Sequence, residues 1–247
     1  MNYFKLGLCS VTFRKKTAEE VVELAKKAGI SFIEWGGDVH VKTLDDAKKV
    51  KLLCDKASIK ISSYGSYFNS AVFDESKWTY TCEIAKEMGA ESIRIWLGKK
   101  NSQVTTENEY SLLLENTKKM CDTAAEYGLM VCPECHDNTF NNNTDAILRF
   151  IKDLQRDHFR TYFQSRYFRM EYDLDRIGRT YDYIKDVHVS YRDLKREQLF
   201  RKKDKNYLDT LLNKLKEKGF DGIVMIEFVS GNNEKNLLKD TETLKNY

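Results

Sequence analysis

The chain has no long apolar run. No stretch approaches the roughly 18 consecutive apolar residues that a membrane-spanning helix requires. It has little net charge, with 41 Lys and Arg against 38 Asp and Glu, which excludes the dense basic face of a nucleic-acid binder. Linkers and low-complexity stretches are missing too, and composition does not shift along the sequence. A single domain over 1–247 is therefore expected. The first residues run directly into a strand-like segment without a signal-peptide layout, so a cytoplasmic location is expected. Cys132 and Cys135 form a C-x-x-C, but there is no second pair to complete a structural zinc site. The six cysteines read as small buried hydrophobes. The single proline, Pro133, falls inside a strand-like run, where a bulge or kink is expected.

What is present is alternation. At 41% hydrophobic, 247 residues can bury a sizeable core. Strand-like runs lie at 5–10, 31–35, 59–63, 91–96, 129–134, 159–164, 184–190 and 222–228. Helical patterns lie at 17–28, 44–57, 75–88, 106–127, 143–155, 174–183, 206–218 and 234–246. Thr17 and Glu20 make a capping box, and Gly29 ends that helix. Strands alternating with helices pair in parallel through crossovers. Eight such units in about 250 residues predict an α/β fold, a (β/α)8 TIM barrel, with chemistry at the C-terminal ends of the strands.

Three strand-like runs end in groups that bind metals or move protons. One ends in Glu134 with His136 two residues on, one in His188, and one in Glu227. A charge at the end of a buried strand needs a partner or a metal. The other strand ends offer Glu34, Asp38 and His40, then Tyr64, Ser66 and Tyr67, then Arg94 and Trp96, then Gln164 and Arg166, and finally Arg192. The aromatic residues among them suit the apolar face of a sugar ring. Glu134 and Glu227 lie across the barrel from each other. With an imidazole they form a site for one divalent ion, Mn²⁺, Mg²⁺ or Zn²⁺. Such an ion would polarise a carbonyl or enediolate oxygen, and the glutamates would move the proton. The competing reading of the pair is a buried salt bridge to Arg94 or a lysine.

These residues resemble the sugar phosphate isomerase/epimerase superfamily of xylose isomerase-like barrels. The resemblance rests on Glu34-Trp35-Gly36-Gly37-Asp38-Val39-His40, Ser63 to Tyr67, Glu134-Cys135-His136, His188 and Ile226-Glu227-Phe228. It implies a metal held by Glu134, His188 and Glu227, with Gln164 standing where the superfamily has an aspartate. It implies that Glu134 and Glu227 double as catalytic acid and base, that His136 contacts a substrate hydroxyl, and that His40 lines the pocket. Tyr64, Tyr67, Arg94, Trp96 and Arg192 complete the expected substrate-binding set. The implied activity is isomerisation or epimerisation of a small polyhydroxy carbonyl compound, a sugar or inositol derivative, through a metal-stabilised enediolate. A dehydratase or lyase shares the first step, and a metal-free sugar-binding barrel is the alternative if Gln164 has cost the chain its metal. A DNA-repair enzyme of the endonuclease IV type would need a multi-zinc cluster, and four histidines with a net charge of +3 argue against it. The resemblance also implies a homodimer, for which no stretch of the sequence supplies an interface. A basic segment, 195–205, reads as a solvated loop, or else as a phosphate-binding or oligomer-contacting one.

Overall fold

The structure is a computed structural model that describes residues 3–165, 169–190 and 202–247. Arg166, Arg192 and most of the basic segment at 195–205 lie outside these residues. Eight parallel strands form one sheet: β1 (Lys5–Cys9), β2 (Phe32–Gly36), β3 (Lys60–Asn69), β4 (Ser92–Trp96), β5 (Met130–Pro133), β6 (Thr161–Gln164), β7 (Ile184–Ser190) and β8 (Ile223–Glu227). Their order is β5-β4-β3-β2-β1-β8-β7-β6. The helices between them are α1 (Ala18–Ala28), α2 (Leu44–Ala57), α3 (Glu75–Met88), α4 (Glu107–Glu126), α5 (Thr144–Leu154), α6 (Met170–Thr180), α7 (Lys202–Glu217) and α8 (Glu234–Leu244). This is the expected (β/α)8 barrel. Among the described residues no helix is long and apolar enough to cross a membrane.

Local signals account for most of the boundaries. Thr17 caps α1 in a capping box with Glu20, and Thr43 and Thr106 do the same for α2 and α4 with Asp46 and Glu109. Gly29 ends α1 at φ 71°, a left-handed conformation that favours glycine. The strand β3 runs to Asn69, well past the expected end at 63, because Tyr64 to Phe68 continues it through a bulge against β4 between Gly65 and Phe68.

The barrel is nearly closed, and its weak seam lies between β5 and β6. Among the described residues one bridge joins β5 to the segment that enters β6, Val131 to Phe159. Val131 accepts from the Arg160 N–H and donates to the His158 carbonyl, whereas the flanking residue Glu134 donates to Ile95 of β4. By strand alternation the position of Pro133 faces β6, and proline has no N–H to give there. Pro133 therefore does not produce the expected bulge: its register against Ile95 of β4 is regular, and its effect is to stop the ladder on the other side.

Most of the hydrophobic core lies between the outer face of the barrel and the helices, with Trp35, Trp78, Phe150 and Phe159 among its largest fully buried members. Inside the barrel a small plug of Cys9, Val11, Ile223 and Met225 fills the middle. Gly7 makes room for it, since a Cβ there would lie 2.8 Å from the Met225 side chain. Polar side chains take over above this plug.

Candidate active site and metal centre

Five inward-facing residues form a buried ionic layer at the C-terminal ends of the strands. Glu34 comes from β2, Arg94 from β4, Glu134 from just past β5, His188 from β7 and Glu227 from the end of β8. All are at most 5% exposed. Burying a carboxylate costs several kcal/mol unless it is paired, so the pairing decides whether the layer is tenable.

Arg94 does most of the pairing. Its Nε donates to Glu34 Oε1 at 2.8 Å, and its Nη1 donates to Glu134 Oε2 in a shorter contact. Glu34 Oε2 also accepts from Ser63 at 2.6 Å and from Tyr162 at 3.0 Å. Burial works against the Glu34 carboxylate, but Arg94 and His188, helped by Ser63, hold it well below the usual range. Glu227 has no such guanidinium bond. Burial and the neighbouring Glu134 push it up to about 7.

His188 stands between two groups of donors. Its Nε2 faces Glu34 Oε2 and Cys9 Sγ, each at 3.6 Å, and its Nδ1 faces Glu227 Oε2 at 3.9 Å. Burial opposes its charge, and Cys9 and Glu34 outweigh that to raise its affinity for a proton. Burial pushes the Cys9 thiol up to about 12.

These residues fit a divalent cation. Ligand atoms of Glu134, His188 and Glu227 lie within 4.8 Å of one another. An ion with bonds of about 2.1 Å holds neighbouring donors about 3–4 Å apart, so modest closure suffices. Gln164 Nε2 donates to Glu227 Oε2 at 3.4 Å, which leaves its Oε1 free to turn to an ion. That Oε1 and His188 Nδ1 are buried and have no hydrogen-bond partner among the described residues, and both are acceptor atoms suited to a metal. Charge gives the same answer. Without an ion, a proton on His188 and one on Glu227 join Arg94 in balancing the three buried carboxylates, and a divalent ion supplies the two charges that would replace those protons.

The surroundings hold this layer firmly. Asn141 donates to the Glu134 backbone carbonyl at 2.9 Å, and its own carbonyl accepts from the buried Arg176 at 3.3 Å. The asparagine-rich turn that carries Asn141 is thus an anchor for Glu134. Phe228, next to Glu227, and Tyr67 both take φ 58°. Such backbone is strained for an aromatic residue and collects at functional sites.

The expected substrate-binding residues divide into two groups. Tyr67, Trp96 and His136 meet at the mouth. Trp96 is 4.7 Å from the His136 ring and 6.2 Å from the Tyr67 ring, and Arg94 lies over Tyr67 at 5.1 Å. His40 and Tyr64 are turned to other tasks. The His40 nitrogens are held by Ser10 Oγ at 3.0 Å and the Lys16 carbonyl at 3.1 Å, and the Tyr64 hydroxyl donates to the Val41 carbonyl at 3.0 Å. They brace the loops after β1 and β2. Arg94 serves the carboxylates, and so the competing salt-bridge reading holds for Glu134 but not for Glu227. Sequence reasoning gave no role to Cys9, Glu34, Ser63 or Tyr162. Glu34 carried a signal, a carboxylate inside an apolar run, whereas the other three look like ordinary strand residues.

Comparison with known proteins identifies the family and the fold. The model of the xylose isomerase-like TIM barrel family matches residues 22–247. A 3-dehydroshikimate dehydratase of Bacillus anthracis is 24% identical over 161 residues, covering 60% of this chain and 56% of that enzyme's length. The crystal structure of the probable 3-DHS dehydratase AsbF of B. anthracis superposes with a TM-score of 0.80 at 16% identity, covering 97% of this chain and 98% of the other. The 3-keto-D-glucoside 4-epimerase YcjR of E. coli gives 0.78 at 15% identity, covering 98% and 99%. A D-psicose 3-epimerase of Clostridium cellulolyticum gives 0.76 at 14% identity, covering 98% and 97%.

Proposed function

Because the chain belongs to the xylose isomerase-like TIM barrel family, we propose that it is a divalent-metal-dependent isomerase or epimerase of a small polyhydroxy carbonyl compound. The observation that carries this reading is the pair Glu134 and Glu227, brought to one centre with His188 and the free Oε1 of Gln164. Glu134, Gln164, His188 and Glu227 would hold the ion, which when bound supplies Lewis-acid polarisation of a carbonyl.

The chain's own groups do the remaining work. Arg94 fixes Glu134 so that one carboxylate oxygen is tied and the other is free among the described residues. In the metal-free protein burial and Glu134 make Glu227 hold a proton more tightly than a free glutamate does, which suits it to give one while Glu134 takes one. Glu34 Oε2 and Cys9 Sγ, each 3.6 Å from His188 Nε2, orient the ring so that Nδ1 faces Glu227. The Trp96 and Tyr67 rings offer apolar faces to a sugar-like carbon skeleton, and His136 a polar edge.

Dehydration is the second reading, favoured by the match to a 3-dehydroshikimate dehydratase. It begins with the same proton removal and ends with loss of a β-hydroxyl.

The test is hydrogen exchange on carbon. Ketoses, inososes and 3-dehydroshikimate are incubated with the protein in D₂O, with Mn²⁺, Mg²⁺ or Zn²⁺, and followed by NMR. Deuterium wash-in beside a carbonyl is expected, lost with chelator and reduced about 10²–10⁴-fold in Glu134→Gln or Glu227→Gln. An epimerised product identifies the first reading, and an unsaturated one identifies the second. A protein that binds no divalent ion and exchanges no carbon-bound hydrogen would sink both.

A further inference from the structure

The N-terminal end of the barrel, opposite the candidate active site, holds a separate cavity of about 300 Å³. It is built from residues where the strands begin: Lys5 of β1, Lys60 of β3, Glu91 before β4, Arg160 before β6, Lys185 of β7 and Asp221 before β8. Four cations and two carboxylates therefore line one concavity.

The cations are not used up by the carboxylates. Lys185 is paired, 2.9 Å from Glu91 and 3.6 Å from Asp186. Lys5 Nζ donates to the backbone carbonyl of Asp221 at 2.6 Å. Arg160 spends Nη1 on the carbonyls of Asp157 at 2.9 Å and Phe159 at 2.8 Å, which leaves its Nε and Nη2 without a bond among the described residues. Lys60 lies 6.0 Å from the centre of the Phe32 ring. Lys5, Lys60 and Arg160 thus converge with no carboxylate partner among the described residues.

The walls are strand ends. A Cβ on Gly222 would lie 2.4 Å from the Lys185 carbonyl, so only glycine lets β8 enter this close to β7. The Ile223 N–H then donates to Asp186 Oδ1 at 3.0 Å and closes the floor. The sheet fixes where these side chains start, and backbone carbonyls hold the heads of Lys5 and Arg160 in place.

We propose that this cavity binds a phosphate-class anion, either inorganic phosphate, pyrophosphate or the phosphate of a small metabolite. The open Nε–Nη2 edge of Arg160 matches two oxygens of such a group, and the two lysines supply point charges. A halide offers that edge a single atom and a single charge, where a phosphate group offers two oxygens and more charge.

Pyrophosphate is the probe. The metal-free full-length chain is titrated by calorimetry at constant ionic strength, with chelator present so that no ion at the mouth captures the ligand. One site per chain is expected, at least tenfold weaker in Lys60→Glu and in Arg160→Gln. Binding is expected to stay unchanged in Lys99→Glu, at the mouth, and in Lys195→Glu/Arg196→Glu. Absence of binding overturns the proposal. So does binding that survives Lys60→Glu but is lost in the Lys195/Arg196 variant, which would place the anion on the basic segment. Equal thermal stabilisation by chloride, in wild type and Lys60→Glu alike, would mean general screening only and also overturns it. If Arg160→Gln unfolds for want of its carbonyl contacts, the exposed Lys60 still decides.

Discussion

Arg94 touches two of the three carboxylates in the ionic layer, and its loss strands both. A buried pair broken on one side destabilises by about 3–5 kcal/mol, because the remaining charge has no compensation. Arg94→Met keeps length and apolar bulk while removing the guanidinium. The metal-free variant is expected to lose about 3–5 kcal/mol in urea denaturation, and a smaller amount with saturating Mn²⁺, which takes over the charge of Glu134. A loss below about 1 kcal/mol in the metal-free state would mean that Glu34 and Glu134 are satisfied by something other than Arg94.

At the scale of elements, β5 and β6 meet through a single bridge while β1 and β8 share a four-residue register. Pro133 is the cause, so the seam should open locally before the rest of the sheet. Amide exchange is expected to be faster at Val131 and Arg160 than at Leu6 and Val224. Equal protection on both sides would refute a weak seam. Helix α8 carries a different strain. Asp240 is buried, its Oδ2 has no partner among the described residues, and burial pushes its pKa up to about 7. A carboxyl that holds its proton more tightly when folded favours the folded state at low pH. That advantage is lost as pH rises from about 4, the unfolded value, to about 7. Asp240→Asn should therefore stabilise the protein by about 1–3 kcal/mol at pH 8, allowing for water that reaches the carboxyl, and by almost nothing at pH 4. Thermal melts at the two pH values give the comparison, and an equal gain at both would place the effect elsewhere than in ionisation.

At the scale of the whole molecule, a bound ion would join β5, β6, β7 and β8, the strands on both sides of the weak seam. At 100 times its dissociation constant it adds about 2.7 kcal/mol, or roughly 5–10 °C in melting temperature for a chain of this size. Gln164→Asp is expected to melt lower than wild type without metal, because a new carboxylate then faces Glu227, and to gain more on adding Mn²⁺. Scanning calorimetry with and without the ion tests both parts. No shift in either protein would remove the metal centre from the proposal.

The alternation of strands and helices, the capping boxes and the strand-terminal Glu134, His188 and Glu227 were all legible in one dimension. Period, cap chemistry and a charge ending an apolar run are local properties, and a (β/α)8 barrel converts position along each strand into position in the site. Partnership was not legible. Nothing local says that Arg94 reaches Glu34 and Glu134 together, that Asn141 holds the backbone of Glu134, or that His40 turns to Ser10 and Lys16. Those contacts join residues 24 to 60 positions apart, apart from Asn141 and Glu134. Closure of the barrel decides which of them face inward at the same height. Pro133 shows the division best. The sequence alone placed it in a strand, but only the neighbours on either side determined that its missing N–H falls on β6.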